Sequence, residues 1–296
     1  MAAKAGQKPK RVGNTNRAPK SKSARELEDA QGPKGDRAKP TRHGSPLARL
    51  LAVMARLRHP EGGCPWDLEQ DFHTIAPHTI EEAYEVVETI ETGDFGALKD
   101  ELGDLLFQVV FYAQLAKERG LYDFDAIADA IADKMIRRHP NVFAGRKVAD
   151  AKAQTEAWED GKARERATAS ALDGVARTLP ALSRAAKLQK RAARIGFDWP
   201  KPEPVLAKIA EEVGELAKAM RRGRRAPIAE EMGDLLFSCV NLARKLDLDP
   251  ETVLRQANRK FERRFRQVEQ SGTDTPESME EAWEQAKRSE RRRRKR

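Results

Sequence analysis

Glu81-Glu82-Ala83-Tyr84-Glu85 recurs 130 residues later as Glu211-Glu212-Val213-Gly214-Glu215, and recognising the two stretches as one repeated acidic turn decides the fold. Each copy is followed by a second matched stretch, Glu101-Leu102-Gly103-Asp104-Leu105-Leu106-Phe107 and Glu231-Met232-Gly233-Asp234-Leu235-Leu236-Phe237. The step from Glu85 to Glu101 is sixteen positions, and so is the step from Glu215 to Glu231. Further on, Lys134-x-x-Arg137-Arg138 matches Lys260-x-x-Arg263-Arg264, and Trp158-x-x-x-Lys162 matches Trp283-x-x-x-Lys287. The chain is one unit duplicated, with the join near 165–178, where small and polar residues replace the periodic apolar pattern.

The unit reads as helical. Ser45-Pro46 is an N-cap followed by a proline at the first helical position, and Leu47, Leu50, Leu51, Met54 and Leu57 follow at helical spacing. His59-Pro60 and Gly62-Gly63 end that helix. Further helices are expected over Thr79–Glu91, Phe95–Glu118, Phe124–Arg138 and Ala151–Arg164, the one over Phe124–Arg138 stopped by Pro140. Charged residues make up 35% of the chain and aromatics 6%, a balance that suits helices with solvated faces and narrow apolar stripes. The organisation expected is a disordered basic arm over 1–44, a helical domain over 45–165, a linker over 166–178, a second helical domain over 179–288 and a basic tail over 289–296.

Spacing then places the acids. Glu82 and Glu85 are three apart, as are Glu101 and Asp104, so each pair projects from one helical face. The short connection at Thr92-Gly93-Asp94 makes the two helices antiparallel neighbours and brings the pairs together. Gly103 is expected where two helices approach closely, with Leu105, Leu106 and Phe107 in the core. Four carboxylates within about 5 Å repel by roughly 3 kcal/mol per pair at an effective dielectric near 20, against less than about 1 kcal/mol in water. Such a group calls for a cation, and carboxylate oxygen is the ligand that Mg²⁺ and Mn²⁺ prefer. Metal-assisted phosphoanhydride cleavage follows as the chemistry. The competing reading is that Glu82 closes a capping box begun by Thr79 and the other acids are solvated helix surface.

Lys134 with Arg138, and Lys260 with Arg264, are four apart and share a helix face that can meet phosphate oxygens or form surface ion pairs. Trp66 and Trp199 precede their carboxylate pairs and can either stack a base or serve as local core. His59, His73, His78 and His139 lack metal-ligand spacing.

The net charge of +9 belongs to the ends. Residues 1–44 carry twelve Lys/Arg against four Asp/Glu and residues 287–296 eight against one, which leaves the intervening body at −6. The tails are expected to be solubilising, with contact to RNA or other phosphates as the alternative. Cys64 and Cys239 make neither a disulfide framework nor a zinc site, and no membrane-spanning run or secretory signal is present, so a cytoplasmic location is expected.

These stretches, with Gly63-Cys64-Pro65-Trp66-Asp67, Arg137-Arg138-His139-Pro140 and Asn258-Arg259-Lys260-Phe261-Glu262-Arg263-Arg264-Phe265, resemble the two-domain MazG nucleoside triphosphate pyrophosphohydrolases over about 45–288. The resemblance implies an all-α fold of two tandem four-helix-bundle-type domains, an intertwined homodimer, Mg²⁺ dependence, and hydrolysis of nucleoside triphosphates to monophosphate and pyrophosphate with broad base tolerance in nucleotide-pool housecleaning. It implies that Glu212, Glu215, Glu231 and Asp234 hold the metal in the C-terminal copy, with Lys260, Arg264, Trp283 and Lys287 near the nucleotide. The N-terminal equivalents are Glu82, Glu85, Glu101 and Asp104, with Lys134 and Arg138. Pro227 stands where the family's C-terminal copy can carry a lysine, which leaves Arg224 or Arg225 for that phosphate contact. Both acidic sets are complete, so the residues leave open which copy turns over, and the family resemblance points to the C-terminal one. Set against this enzyme are a helical binding or regulatory module using its basic tails and a phosphoribosyl-ATP pyrophosphatase.

Overall fold

The computed structural model describes residues 44–145, 149–150, 153–155, 158, 161, 170–272 and 274–293. The basic arm and the end of the basic tail lie outside the described residues, as do Lys162 and most of the helix expected over Ala151–Arg164. Among the described residues the ordered elements are helices, and no strand occurs. The chain divides into two compact units on either side of the step from Trp158 to Glu159.

In the first unit, α1 (Pro46–Leu57), α2 (Pro65–Glu69), α3 (Phe72–Thr92), α4 (Leu98–Glu118), α5 (Phe124–Arg138) and the single turn α6 (Pro140–Phe143) follow in order. Ser45 caps α1 by accepting a hydrogen bond from the Ala48 amide at 3.2 Å. The main pairing is between α3 and α4, with α1 and α5 laid on α4. Met54, Ile75, Val110, Phe111 and Leu115 form the buried core, and Leu50, Leu51, Phe72, Phe107, Tyr112 and Phe124 close around it. Arg58 fastens the end of α1: its guanidinium makes an ion pair with Glu118 at 2.7 Å and also donates to the Asp67 and Gln70 carbonyls, which pins the Gly-Cys-Pro-Trp turn.

The second unit repeats the plan with α7 (Ala181–Arg194), α8 (Glu203–Arg222), α9 (Arg225–Lys245), α10 (Pro250–Gln270) and α11 (Pro276–Arg293). Here α8 pairs with α9, α7 packs on α9 and α10, and α10 pairs with α11. Gln189 of α7 donates to the Phe237 carbonyl of α9 at 2.8 Å.

Three sequence expectations change. The helix expected from Thr79 begins at Phe72, because Asp71 and Thr74 form the capping box: Asp71 Oδ1 accepts from the His73 and Thr74 amides at 2.7 and 2.9 Å, and Thr74 Oγ1 accepts from the Asp71 amide. Thr79 therefore caps nothing and sits mid-helix, its hydroxyl 2.9 Å from that of Tyr112. Second, Gly103 is not required by a close approach, since a Cβ there would meet nothing within 4 Å. Third, Leu106 is exposed while Leu105 and Phe107 are half-buried. Three successive residues are spread around a helix at 3.6 per turn and cannot all face the core.

Candidate metal centres

The site is positioned by two helices and one turn. Residues 93–97 return the chain so that α4 runs back along α3, and Gly93 ends α3 at φ 77, the left-handed conformation that glycine adopts without penalty. Gly223, at φ 68, does the same between α8 and α9. With Thr79 removed as a cap, Glu82 is free of any capping role and stands in the third turn of α3.

Carboxylate oxygens of Glu82, Glu85 and Glu101 lie within 4.8 Å of one another, and those of Glu212, Glu215 and Glu231 do the same in the second unit. The helical pairs read from spacing thus converge, three acids to each group. Asp104 and Asp234 lie outside these tight groups yet close enough to act on them electrostatically, Asp104 on Glu82 and Asp234 on Glu231.

The electrostatics show the strain of bringing such groups together. Burial, and after it the charges of Asp104, Glu85, Glu81 and Glu101, push Glu82 up to about 7. Glu101 is raised by burial and then by Glu85, and Asp104 by burial and then by Asp100. In the second unit Glu231 is raised by burial and by Glu215, Glu212 and Asp234. Acceptor-only oxygens held this close suit a hard divalent cation, which would neutralise the mutual repulsion. Among the described residues no His or Cys joins either group, and the carboxylate donors fit a hard cation rather than a soft metal.

The two clusters differ in one neighbour that spacing alone did not single out. Lys208, one turn ahead of Glu212 on α8, places Nζ 2.8 Å from Glu212 and 3.0 Å from Glu211. The hydrogen bond to Glu212, then that to Glu211, hold its ammonium well above the usual lysine range. The i, i+4 spacing to Glu212 is the one trace it leaves in the sequence, a trace that any surface ion pair on a helix shares.

The basic and aromatic candidates fall into separate groups. In the second unit, α10 and α11 bring Arg264 over Trp283, 5.7 Å from the ring centre, and Glu290 pairs with that guanidinium at 2.6 Å. Phe261 packs on Trp283 at 5.3 Å, Lys287 pairs with Glu284 at 2.5 Å, and Lys260 is half-buried on α10. In the first unit, Lys134 and Arg138 share one side of α5 and are half-buried. Trp66 is 51% exposed and meets His78 edge-on at 6.0 Å, so it is not core; Trp199 is partly exposed. Arg224 and Arg225 are exposed at the start of α9, with Pro227 in its first turn.

Comparison with known proteins agrees with this architecture. The MazG nucleotide pyrophosphohydrolase domain matches twice, at 70–143 and 201–269, so that each match contains one complete acidic set. A nucleoside triphosphate pyrophosphohydrolase of Escherichia coli is 52% identical over 258 residues, covering 82% of this chain and 98% of the relative. The nucleoside triphosphate pyrophosphohydrolase/pyrophosphatase MazG of Thermotoga maritima is 42% identical over 249 residues, 80% of this chain and 94% of the relative. With the repeat, the all-helical units and the paired acidic clusters in place, the chain belongs to the MazG nucleotide pyrophosphohydrolase family.

Proposed function

We propose that this protein hydrolyses nucleoside triphosphates to a nucleoside monophosphate and pyrophosphate, using Mg²⁺, with Mn²⁺ as a substitute. The observation that carries the reading is the convergence, twice in one chain, of three glutamates within 4.8 Å. Glu82, Glu85 and Glu101 with Asp104, and Glu212, Glu215 and Glu231 with Asp234, are the metal ligands in this reading. The bound cation supplies Lewis-acid polarisation of the phosphoanhydride. The chain's own part is to hold the acids on two stiff helices and to order the attacking water, whose hydrogens carboxylate oxygens accept.

Arg264 and Trp283 provide one cation and one ring face for a nucleotide, with Lys260 and Lys287 on the same two helices, and we place turnover at the C-terminal cluster on that account. Lys134 and Arg138 are the corresponding phosphate contacts of the N-terminal unit. Stacking on a ring face is tolerant of base identity, which favours a broad-specificity role in clearing unwanted nucleotides. The enzyme works as a homodimer in this proposal. The reading also places it in the cytoplasm, in keeping with free Cys64 and Cys239 and with the lack, among the described residues, of a helix long and apolar enough to cross a membrane.

The test is product analysis by ³¹P NMR of the purified chain with Mg²⁺ and a nucleoside triphosphate. Monophosphate and pyrophosphate in equal amounts are expected. Diphosphate with orthophosphate would show that a different bond is cut.

A further inference from the structure

The two clusters share their carboxylates but not the residue one turn ahead of them. In the first unit that residue is His78, which reaches Glu81 at 3.5 Å and turns its ring toward Trp66 rather than toward Glu82. Among the described residues, no lysine or arginine makes an ion pair with Glu82, Glu85 or Glu101. In the second unit the position is Lys208, whose ammonium lies 2.8 Å from a Glu212 side chain that is only 5% exposed. The most enclosed carboxylate of the C-terminal cluster already has a cation, fixed to the same helix.

This rests on the reading of both clusters as divalent-cation sites. We propose that Lys208 is a tethered competitor for the metal at the C-terminal cluster, so that metal alone loads the N-terminal cluster first. A divalent cation on Glu212 would sit beside a like charge, and binding requires the ammonium to leave. Its flexible four-carbon stem and 34% exposed side chain let it swing away, so the contact hinders the metal without blocking it. An anion arriving beside the cluster would offer the displaced ammonium a new partner, so the C-terminal cluster fills readily only when a polyanionic substrate is at hand. Among the described residues, the N-terminal cluster has no such gate.

The experiment is Mn²⁺ titration of the metal-stripped full chain, with free Mn²⁺ read by electron paramagnetic resonance and the fold checked by circular dichroism. The wild type is expected to show two unequal sites, the tighter one abolished by Glu82→Gln with Glu85→Gln. In that doubly substituted background, where only the C-terminal cluster remains, Lys208→Met is expected to tighten Mn²⁺ binding about fivefold to tenfold, and Lys208→Arg to leave it weak. Conversely, His78→Lys with the C-terminal ligands removed is expected to weaken the N-terminal site. Unchanged or weaker binding in Lys208→Met, with helicity intact, would overturn the competitor role while leaving the metal reading standing. Absence of any Mn²⁺ binding that depends on Glu82 or Glu212 would overturn the metal reading itself.

Discussion

Among the described residues, Glu82 is the carboxyl displaced furthest from its ordinary value. It is held near 7 by burial and by four neighbouring acids, against an ordinary value of 4.5. A carboxyl raised on folding binds its proton more tightly in the native state, so between about pH 4.5 and 7 stability falls as pH rises. Glu118 and Asp198 are displaced in the opposite sense: burial would raise them, but Arg58 and Gln114 on Glu118, and Arg244 and Lys245 on Asp198, hold them below their ordinary values. Their contributions are lost only at more acid pH, which separates the two effects. Metal-stripped protein is therefore expected to melt about 2 °C or more lower at pH 8 than at pH 5, with the difference shrinking in Glu82→Gln and on adding Mg²⁺. A wild-type melting temperature that rises across that window, or a Glu82→Gln variant with an unchanged pH dependence, would contradict the assignment. The acids of this site were legible because i, i+3 spacing and duplication mark them in the sequence. Lys208 was not, because a lysine beside glutamates on a helix reads as ordinary surface until its partner proves buried.

The helices themselves were mostly legible from caps and stops, as at Ser45 and Gly93. The first two turns of α3 were not. Pro77 and the histidines on either side of it obscure the periodicity, and the helix runs through them because Asp71 caps its start, Ile75 is buried and Thr79 bonds Tyr112. What these elements leave outside is equally informative. Leu102 and Leu106 on α4 are 49% and 41% exposed, and their counterparts Met232 and Leu236 on α9 are 43% and 52% exposed. Ile90 on α3 and its counterpart Met220 on α8 are exposed too. An apolar face repeated at equivalent positions in each unit is one that the proposed second copy would cover. Sedimentation equilibrium is expected to give twice the 33.2 kDa chain mass, and Leu106→Lys with Leu236→Lys to raise the dissociation constant at least about tenfold. A wild-type monomer at micromolar concentration, or a double variant that dimerises undiminished, would remove the dimer from the account.

At the scale of the whole molecule, the net charge misleads until it is divided, because the excess of basic residues lies in the tails and the body between them is acidic. Duplication explains why both units keep their carboxylates while the residues around them diverge, His78 against Lys208 and the Thr92-Gly93-Asp94 turn against Arg222-Gly223-Arg224. Divergence of this kind allows the two centres different duties, as the proposed assignment of turnover to the C-terminal one requires. Hydrolysis that depends on these carboxylate clusters is the proposed activity. It is tested most directly by pyrophosphate release from Glu212→Gln, Glu82→Gln and the double variant, each checked for helicity by circular dichroism. Glu212→Gln is expected to lose at least about 100-fold in kcat, Glu82→Gln to lose far less, and the double variant to release no pyrophosphate above background. A folded double variant that releases pyrophosphate at the wild-type rate would contradict the account.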